Sequence, residues 1–158
     1  MKLIILAAGL GKRFLPKTNT VPKGIIKLGG KPLLQHVVSP YLPHVTDIIF
    51  VINSKLGKKV KDHFKKNYLG HKVFYKIQEK QKGTMDALLA CKDLIADGEV
   101  FCVANGDDLL MESDIQNALA EKKIGIGVSK KVMPSGYLGV QVGNDYVIGF
   151  QRHDTEEK

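Results

Sequence analysis

The sequence predicts an α/β fold with a largely parallel central sheet. Short apolar runs of strand length alternate with amphipathic segments of helix length as far as Glu121. Strands separated by helices are typical of βαβ units, in which successive strands lie parallel. Ile48–Ile52 and Val100–Val103 are almost continuously apolar, as expected for strands that are covered on both faces.

The predicted elements follow from these patterns in chain order. The predicted strands are Lys2–Leu6, Asp47–Ile52, Lys72–Ile77 and Val100–Ala104. The predicted helices are Pro32–Tyr41, Lys55–Tyr68, Lys82–Leu94 and Ser113–Glu121. Beyond Lys122 the pattern changes to short strand candidates punctuated by glycine, at Ile124–Val128, Tyr137–Val142 and Tyr146–Gln151. Asn144-Asp145 suits a hairpin turn between the last two.

Composition is that of an ordinary globular protein. The chain has 158 residues, of which 44% are apolar and 25% charged, so we expect a single domain over residues 1–158. No apolar run approaches the roughly 20 residues that span a bilayer, and the first run is too short for a signal peptide. Cys91 and Cys102 form neither a zinc pattern nor a disulfide framework. These features predict a cytoplasmic protein without a membrane partner.

The net charge of +8 indicates an anionic partner. A basic surface attracts nucleic acid, anionic lipid or phosphorylated small molecules. The densest basic run is Lys55–Lys66, where Val60 and Phe64 interleave at helical spacing, so a solvated helix face is the favoured interpretation. The sequence contains no aromatic RNA-binding motif and no basic zinc module, and no nucleic-acid partner is predicted.

The first strand leads into a loop of small residues followed by cations. Gly9 and Gly11 lack a Cβ, which permits positive φ and lets a ligand approach the backbone closely. Arg13 offers a planar fork of donors to phosphate oxygens, and Lys23 adds a compact charge. A polyphosphate site is one interpretation of this loop, and an ordinary strand-to-loop turn is the other.

Two better-known phosphate motifs are excluded at this loop. A P-loop requires Ser or Thr after Gly-Lys, and here Arg13 follows Gly11-Lys12. A dinucleotide fingerprint requires a third glycine where Phe14 stands.

Acidic residues follow the fourth predicted strand, in Asn105-Gly106-Asp107-Asp108. Mg²⁺ is usually bound by one or two carboxylates together with substrate phosphates. Turn chemistry explains the same residues and is favoured by composition alone, whereas the loop after the first strand favours a metal site. Since ligands of open α/β sheets bind beyond the carboxyl ends of the strands, these segments are expected to meet in one cleft.

A long spaced pattern runs through the first forty residues: Leu6-Ala7-Ala8-Gly9-x-Gly11-x-Arg13-x-x-Pro16-x-Thr18, Pro22-Lys23 and Lys31-Pro32-Leu33-Leu34-Gln35. It resembles the signature of the sugar-1-phosphate nucleotidylyltransferases, most of all the UTP–glucose-1-phosphate uridylyltransferases, and the likeness extends to about Val142. The resemblance implies a Rossmann-like three-layer nucleotidyltransferase fold with a mostly parallel, mixed sheet. It also implies transfer from a nucleoside triphosphate, UTP or dTTP first, to a sugar 1-phosphate, with Mg²⁺ as cofactor and release of pyrophosphate.

The resemblance also implies roles for individual residues. Arg13 would stabilise the β- and γ-phosphates, Lys23 would hold the α-phosphate or the sugar phosphate, and Asp107 would hold Mg²⁺. Gln78, with Gly83 five residues later, would contact a pyrimidine base, although from the residues alone Gln78 is simply a polar residue at a strand end. Gly139 would line the sugar site, in a loose match. The full set implied for nucleotide binding is Leu6, Ala7, Ala8, Gly9, Gly11, Gln78, Gly83, Thr84 and Gly106.

The chain departs from the family pattern near its end. The family carries Glu-Lys-Pro after the strand near Phe150, where Arg152-His153 stand here, and Glu157-Lys158 is the other candidate pair. Family members continue further, so a natural short form, a fragment and a domain completed by a partner chain or homo-oligomer all stay open. Two other functions also stay open: a catalytically inactive nucleotide-binding module for regulation or assembly, and a nucleotidylyltransferase for a non-sugar phosphorylated alcohol.

Overall fold

The structure is a computed structural model that describes residues 1–120, 124–128, 138–144 and 146–152. The chain divides into two compact units, Met1–Ala120 and Glu121–Lys158, and each is described by itself. The single domain expected over 1–158 stays a prediction.

The strands are β1 (Lys2–Leu6), β2 (Lys27–Leu28), β3 (Lys31–Pro32), β4 (Asp47–Ile52), β5 (Asn67–Tyr68), β6 (His71–Ile77), β7 (Phe101–Asn105), β8 (Leu138–Gly143) and β9 (Tyr146–Arg152). The α-helices are α1 (Leu33–Val38), α2 (Gly57–Phe64), α3 (Thr84–Leu89) and α4 (Glu112–Ala120). Short 3₁₀ helices lie at Lys12–Phe14, Lys17–Asn19, Lys23–Ile25, Ser39–His44 and Lys92–Leu94.

The first unit is built on a 5-stranded sheet in the order β5-β6-β4-β1-β7. β1 pairs in parallel with β4 and β7, β4 pairs in parallel with β6, and the short β5 is antiparallel to β6. The sheet is therefore mixed and mostly parallel, as predicted. The register sets Leu6 beside Val51 and Asn105, so the carboxyl ends of three neighbouring strands lie side by side.

Helices cover both faces of this sheet because β1 and β4 are apolar on both. Successive side chains of a strand point to opposite faces. Leu3 belongs to the larger core with Leu34 of α1 and Phe64 of α2, whereas Ile4 belongs to a smaller core with Ala87 of α3. The result is a three-layer arrangement in which the loops after the strands are left at one edge.

Three of the four predicted helices are shorter than the sequence patterns suggested, whereas the one predicted as Ser113–Glu121 is present as α4. The segment predicted as Pro32–Tyr41 is helical only over α1 and continues as the 3₁₀ helix Ser39–His44, which contains Pro43. The segment predicted as Lys55–Tyr68 ends at Phe64, where Lys65 takes a positive φ of 57°, and its last residues form β5 instead. The segment predicted as Lys82–Leu94 is divided into α3 and the 3₁₀ helix that follows it.

Two predictions about strands are wrong. Val100–Val103 was expected to be covered on both faces, but β7 pairs only with β1 among the described residues and leaves Phe101 39% and Val103 37% exposed. Ile124–Val128 was expected to be a strand, but the structure gives it no regular secondary structure. The first error arises because an apolar run does not reveal whether another layer covers each face of the strand, and the second because it does not reveal whether a neighbouring strand lies beside it.

The second unit contains an antiparallel hairpin of β8 and β9, as predicted. Gly143 pairs with Tyr146 across a tight turn, in which Asn144 has a positive φ of 50°. Asp145 and Tyr137 lie outside the described residues.

Both cysteines belong to the apolar interior, Cys91 within the smaller core and Cys102 packed against the larger one. Cys91 is fully buried, Cys102 is half-buried, and both are free. Burial raises the pKa of Cys91 to about 11 and raises that of Cys102 as well. Thiols in such surroundings are unreactive.

An ion pair fixes the start of β1 to the loop before β7. The Lys2 ammonium donates to the carbonyl oxygen of Leu94 at 2.6 Å and to Oε2 of Glu99 at 2.9 Å. The same Oε2 accepts the backbone N–H of Ala96 at 2.9 Å. The Ala96 hydrogen bond first, and then Lys2, hold the pKa of Glu99 below its ordinary value of 4.5.

This lowered pKa predicts how the stability of the first unit depends on pH. Because the folded pKa is depressed, the Glu99 carboxylate stabilises the fold above pH 4.5 and stops doing so as the pH falls through the lowered pKa. We expect Glu99→Gln to lower the urea midpoint at about pH 7 and to have much less effect at about pH 3. Circular dichroism during urea unfolding at both values measures this, and an equal loss at both would contradict the prediction.

Candidate functional site

The carboxyl end of β1 is tied to the strands on either side. The backbone N–H of Ala7 donates to the carbonyl oxygen of Val51 at 2.8 Å, and that of Gly106 donates to the carbonyl oxygen of Leu6 at 2.9 Å. These bonds continue the ladder past the last strand residues and hold the loop after β1 beside the segment after β7.

Gly106 is required by this close approach. A Cβ at this position would lie 2.9 Å from the carbonyl oxygen of Leu6 and 3.2 Å from both the Cβ of Ala7 and Cδ2 of Leu34. Backbone and core atoms on three sides leave no space for a side chain. The glycine before Asp107 therefore lets β7 reach the end of β1, and it explains why glycine precedes the acid.

The glycine loop after β1 is packed on one side and open on the other. Gly11 has a left-handed backbone with φ of 62°, and a Cβ there would lie 2.9 Å from Cγ2 of Thr18 and 3.3 Å from the Cβ of Lys23. Thr18 is buried and its Oγ1 donates to the carbonyl oxygen of Gly11 at 2.9 Å. A Cβ at Gly9 would meet nothing within 4 Å. Thr18 and Lys23 therefore pack against the loop at Gly11, whereas the space beside Gly9 is open.

Lys23 brings a positive charge from this loop to the end of β7. Its ammonium forms an ion pair with Oδ2 of Asp107, 84 positions later in the chain, and lies 5.2 Å from the centre of the Phe14 ring. Both charged side chains keep contact with solvent, at 28% exposure for Lys23 and 44% for Asp107. The neighbouring Asp108 instead accepts a hydrogen bond from Nδ2 of Asn105 at 2.8 Å. The cationic loop and the acidic strand end therefore share one place.

Arg13 lies in the 3₁₀ helix Lys12–Phe14 and is exposed. That helix follows Gly11 directly, and its first turn is closed by the backbone N–H of Phe14 donating to the carbonyl oxygen of Gly11 at 2.9 Å. Arg13 is thereby attached to the same loop as Lys23.

Gln78 is buried where β6 ends. Its backbone N–H donates to the carbonyl oxygen of Ile52 at 2.9 Å. Its side-chain Nε2 donates to the carbonyl oxygen of Gly83 at 3.0 Å and to Oδ2 of Asp86 at 2.8 Å. Gly83 has a positive φ of 103° and is the residue before α3, so that Thr84 is the first residue of the helix. Gln78 and Gly83, which the family resemblance paired, are in contact.

Three residues that the sequence analysis did not single out make hydrogen bonds at these strand ends. Nδ2 of Asn53 and Nε2 of Gln81 both donate to the carbonyl oxygen of Ala8, at 3.4 and 3.3 Å. Asp86, the third, accepts from Gln78. Asn53 is buried and directly follows the apolar run of β4, which is the signal that could have identified it.

A depression of about 420 Å³ lies beside Gln78. Its lining includes Lys80, Lys82, Asp86 and Leu89. It is mixed in character, because the apolar side chains of Ile77 and Leu89 lie beside two cations and the two carboxylates of Glu79 and Asp86.

The residue expected to line a sugar site belongs to the second unit. Gly139 lies in β8, opposite Gln151 of β9, and its role stays a prediction. His153 and Glu157-Lys158 fall outside the described residues.

Asp107 fits the kind of metal that the family resemblance implies. In the described part of the chain no group of three or more His, Cys, Asp and Glu side chains could hold a metal ion. Mg²⁺ needs no such group, because it is commonly held by one or two carboxylates together with substrate phosphates and water. The half-exposed carboxylate of Asp107, next to the loop with open space beside Gly9, meets that requirement.

No helix in residues 1–120 or the other described ranges is long and apolar enough to cross a membrane.

Comparisons with known proteins identify the family of this chain. A family model described as nucleotidyl transferase matches residues 2–137. The bifunctional protein GlmU of Methanococcus maripaludis (strain C7) is 36% identical over 145 residues, which cover 92% of this chain and 33% of that protein. A UTP–glucose-1-phosphate uridylyltransferase of Streptococcus pyogenes is 33% identical over 144 residues, covering 76% of this chain and 45% of that protein.

Solved structures show the same fold. UDP-glucose pyrophosphorylase in complex with UDP-glucose matches with a TM-score of 0.66 and 27% identity, over 76% of this chain and 52% of that one. A Bacillus anthracis protein solved with sucrose, and assigned there as a glucose-1-phosphate thymidylyltransferase, matches with a TM-score of 0.78 over 99% of this chain and 65% of that one. The latter is 24% identical and supports the fold alone.

The chain spans between 33% and 45% of the length of the two curated relatives above. The family match nevertheless covers β1 to α4 with every strand end that carries the candidate site. The chain therefore has the Rossmann-like nucleotidyltransferase fold and belongs to the nucleotidyl transferase family.

Proposed function

We propose that this chain carries the nucleotide-binding and catalytic residues of an enzyme that joins a nucleoside triphosphate to a sugar 1-phosphate. UTP and dTTP are the first candidates for the nucleotide, and the products are a nucleoside diphosphate sugar and pyrophosphate. The observation that carries the proposal is the contact of Lys23 with Asp107, which joins the cationic glycine loop to the acidic strand end. Two of the proteins named above, the UTP–glucose-1-phosphate uridylyltransferase and the UDP-glucose pyrophosphorylase, have names that point to UTP, glucose 1-phosphate and UDP-glucose, and they support the same class of substrate.

The proposed reaction is an in-line displacement at phosphorus. A phosphate oxygen of the sugar 1-phosphate attacks the α-phosphorus of the nucleotide, and the bond from that phosphorus to the bridging oxygen of the β-phosphate breaks. Pyrophosphate leaves with the electron pair of that bond. Such transfers need positioning and charge stabilisation from the protein rather than covalent chemistry.

The cations of the loop supply the charge stabilisation in this proposal. Arg13 would bind the β- and γ-phosphates with its planar donors and stabilise the charge on the departing pyrophosphate. Lys23 would bind the α-phosphate or the incoming sugar phosphate, because the Asp107 carboxylate and a phosphate oxygen are alternative partners for its ammonium. The backbone around Gly9 is open enough for a phosphate to lie against it.

Asp107 would hold Mg²⁺ in this proposal. When bound, the ion neutralises charge on phosphate oxygens and helps to align them. Asp108 is engaged with Asn105 and would leave this task to its neighbour.

A substrate panel tests the proposed function. Pyrophosphate release is measured with UTP, dTTP and CTP in the presence of Mg²⁺ and a panel of acceptors, namely a series of sugar 1-phosphates, a polyol phosphate and choline phosphate, with the product identified by mass. A nucleoside diphosphate sugar supports the proposal. Nucleotide binding without turnover would instead support an inactive binding module, and turnover with only a polyol or choline phosphate would support a non-sugar acceptor.

We expect Arg13→Ala to lower kcat/KM on the order of 10²-fold or more, because it removes charge stabilisation from the transition state. Steady-state kinetics with the best substrate pair measure the loss. Lys12→Ala removes the neighbouring charge and is the matched control, expected to retain most of the activity. Wild-type turnover in the Arg13 variant would contradict the role proposed for this residue.

We expect Asp107→Asn to raise the Mg²⁺ concentration needed for half-maximal rate on the order of 10-fold or more, since even groups around a metal ligand change affinity by about 10–100-fold. Asp108→Asn, the same change one residue along, is expected to leave the Mg²⁺ dependence nearly unchanged. The fold should survive both, because a solvent-exposed ion pair stabilises a protein by only about 0–1 kcal/mol. Equal effects of the two variants on Mg²⁺ dependence would refute the assignment of Asp107.

A further inference from the structure

Gln78 is a buried amide of which only one end is engaged. The residue is 6% exposed, and its Nε2 donates to the carbonyl oxygen of Gly83 and to the carboxylate of Asp86. A primary amide has two N–H donors on nitrogen and acceptor lone pairs on oxygen. The protein therefore uses both N–H groups, and within the described part of the chain no hydrogen bond is made to Oε1.

The chemistry of its neighbours determines which way the amide faces. Both groups around Nε2 are pure acceptors, a backbone carbonyl oxygen at 3.0 Å and a carboxylate oxygen at 2.8 Å. A flipped amide would set its own carbonyl oxygen against those two oxygens and lose both hydrogen bonds, one of them charge-assisted. Asp86 thus holds Gln78 with its nitrogen inward, and Oε1 is left as the group that a ligand can use.

Gln78 is also held close to the loop proposed to bind phosphate. It follows β6, whose neighbour β4 ends at Ile52, and the next residue, Asn53, donates to the carbonyl oxygen of Ala8. Gln81, three residues beyond Gln78, donates to the same oxygen at 3.3 Å. Only β4 lies between β6 and β1, so at about 4.8 Å for each step between strands their carboxyl ends are about 10 Å apart.

We propose that Asp86 is a positioning residue that makes Gln78 an obligate acceptor for the base, so that the site prefers a base whose ring nitrogen carries a hydrogen. Uracil and thymine present N3–H, which donates to Oε1. Cytosine presents a bare N3, which is an acceptor and faces Oε1 with no hydrogen between them. The two bases have rings of the same size, so hydrogen bonding rather than shape separates them. This inference rests on the proposed function, since it needs a nucleotide at these strand ends.

The experiment is calorimetric binding of UTP and of CTP, each with Mg²⁺, to the full chain and to three variants. Wild type is expected to bind UTP on the order of 10-fold or more tightly than CTP, because an unmet buried acceptor is costly. Asp86→Asn permits either orientation of Gln78, and Asp86→Ala removes the constraint, so both are expected to bring the ratio of affinities towards one. Asp62→Asn is the matched control on α2, where Asp62 pairs with the exposed Lys58, and it is expected to keep the wild-type ratio.

The ratio of the UTP and CTP affinities separates the positioning role from simple loss of structure, because a less stable fold weakens the binding of both nucleotides equally. If Asp86→Ala does not fold in a thermal melt, Asp86→Asn supplies the same test. Equal affinity of wild type for UTP and CTP would overturn this inference while leaving nucleotide binding intact. A full wild-type ratio in the folded Asp86 variants would overturn the role of Asp86. Failure of wild type to bind either nucleotide would overturn the proposed function, and this inference with it.

Discussion

The candidate site depends on how closely β7 approaches β1 at their carboxyl ends. Gly106 makes this approach, because its N–H bonds to the carbonyl oxygen of Leu6 and any Cβ would lie 2.9 Å from that same oxygen. A side chain there would separate the strand ends and carry Asp107 away from Lys23. Because Gly106 has no Cβ, two segments that lie far apart in the chain come into contact, and the proposed chemistry needs both.

The ion pair between Lys23 and Asp107 is suited to replacement of the carboxylate by a phosphate. Lys23 and Asp107 are both partly exposed, so their attraction is screened by water and their net contribution to stability is small, about 0–1 kcal/mol. A phosphate group that offers several oxygens can therefore replace the carboxylate at little cost. Before a ligand arrives, each charge keeps the other in place, and the chain's net charge of +8 favours the approach of an anion.

The sequence was sufficient to predict the parts of the fold that depend on local pattern. β1 and β4 were predicted at their observed bounds, because the sequence of a strand that is buried on both faces is almost continuously apolar. The meeting of Lys23 with Asp107 could be anticipated because parallel strands end at one edge. The exposure of β7 could not, because strand order decides which strand lies at the edge. Asn53 and Asp86 were missed because a single polar residue carries no motif, and only the folded contacts reveal what it bonds.

The polar groups at the strand ends divide according to charge and burial, and the division has a physical cause. The charged residues Lys23 and Asp107 keep access to water, as they must, because an unpaired buried charge is very costly. The neutral amides of Asn53 and Gln78 are buried, which is affordable only because their donors are satisfied within the protein. Of these four residues, the charged pair lies beside the ends of β1 and β7 and the two buried amides follow β4 and β6, where the charges of Lys80, Lys82 and Asp86 lie around Gln78. A nucleotide has the same polarity, with charged phosphates at one end and a neutral base that is read by hydrogen bonds at the other.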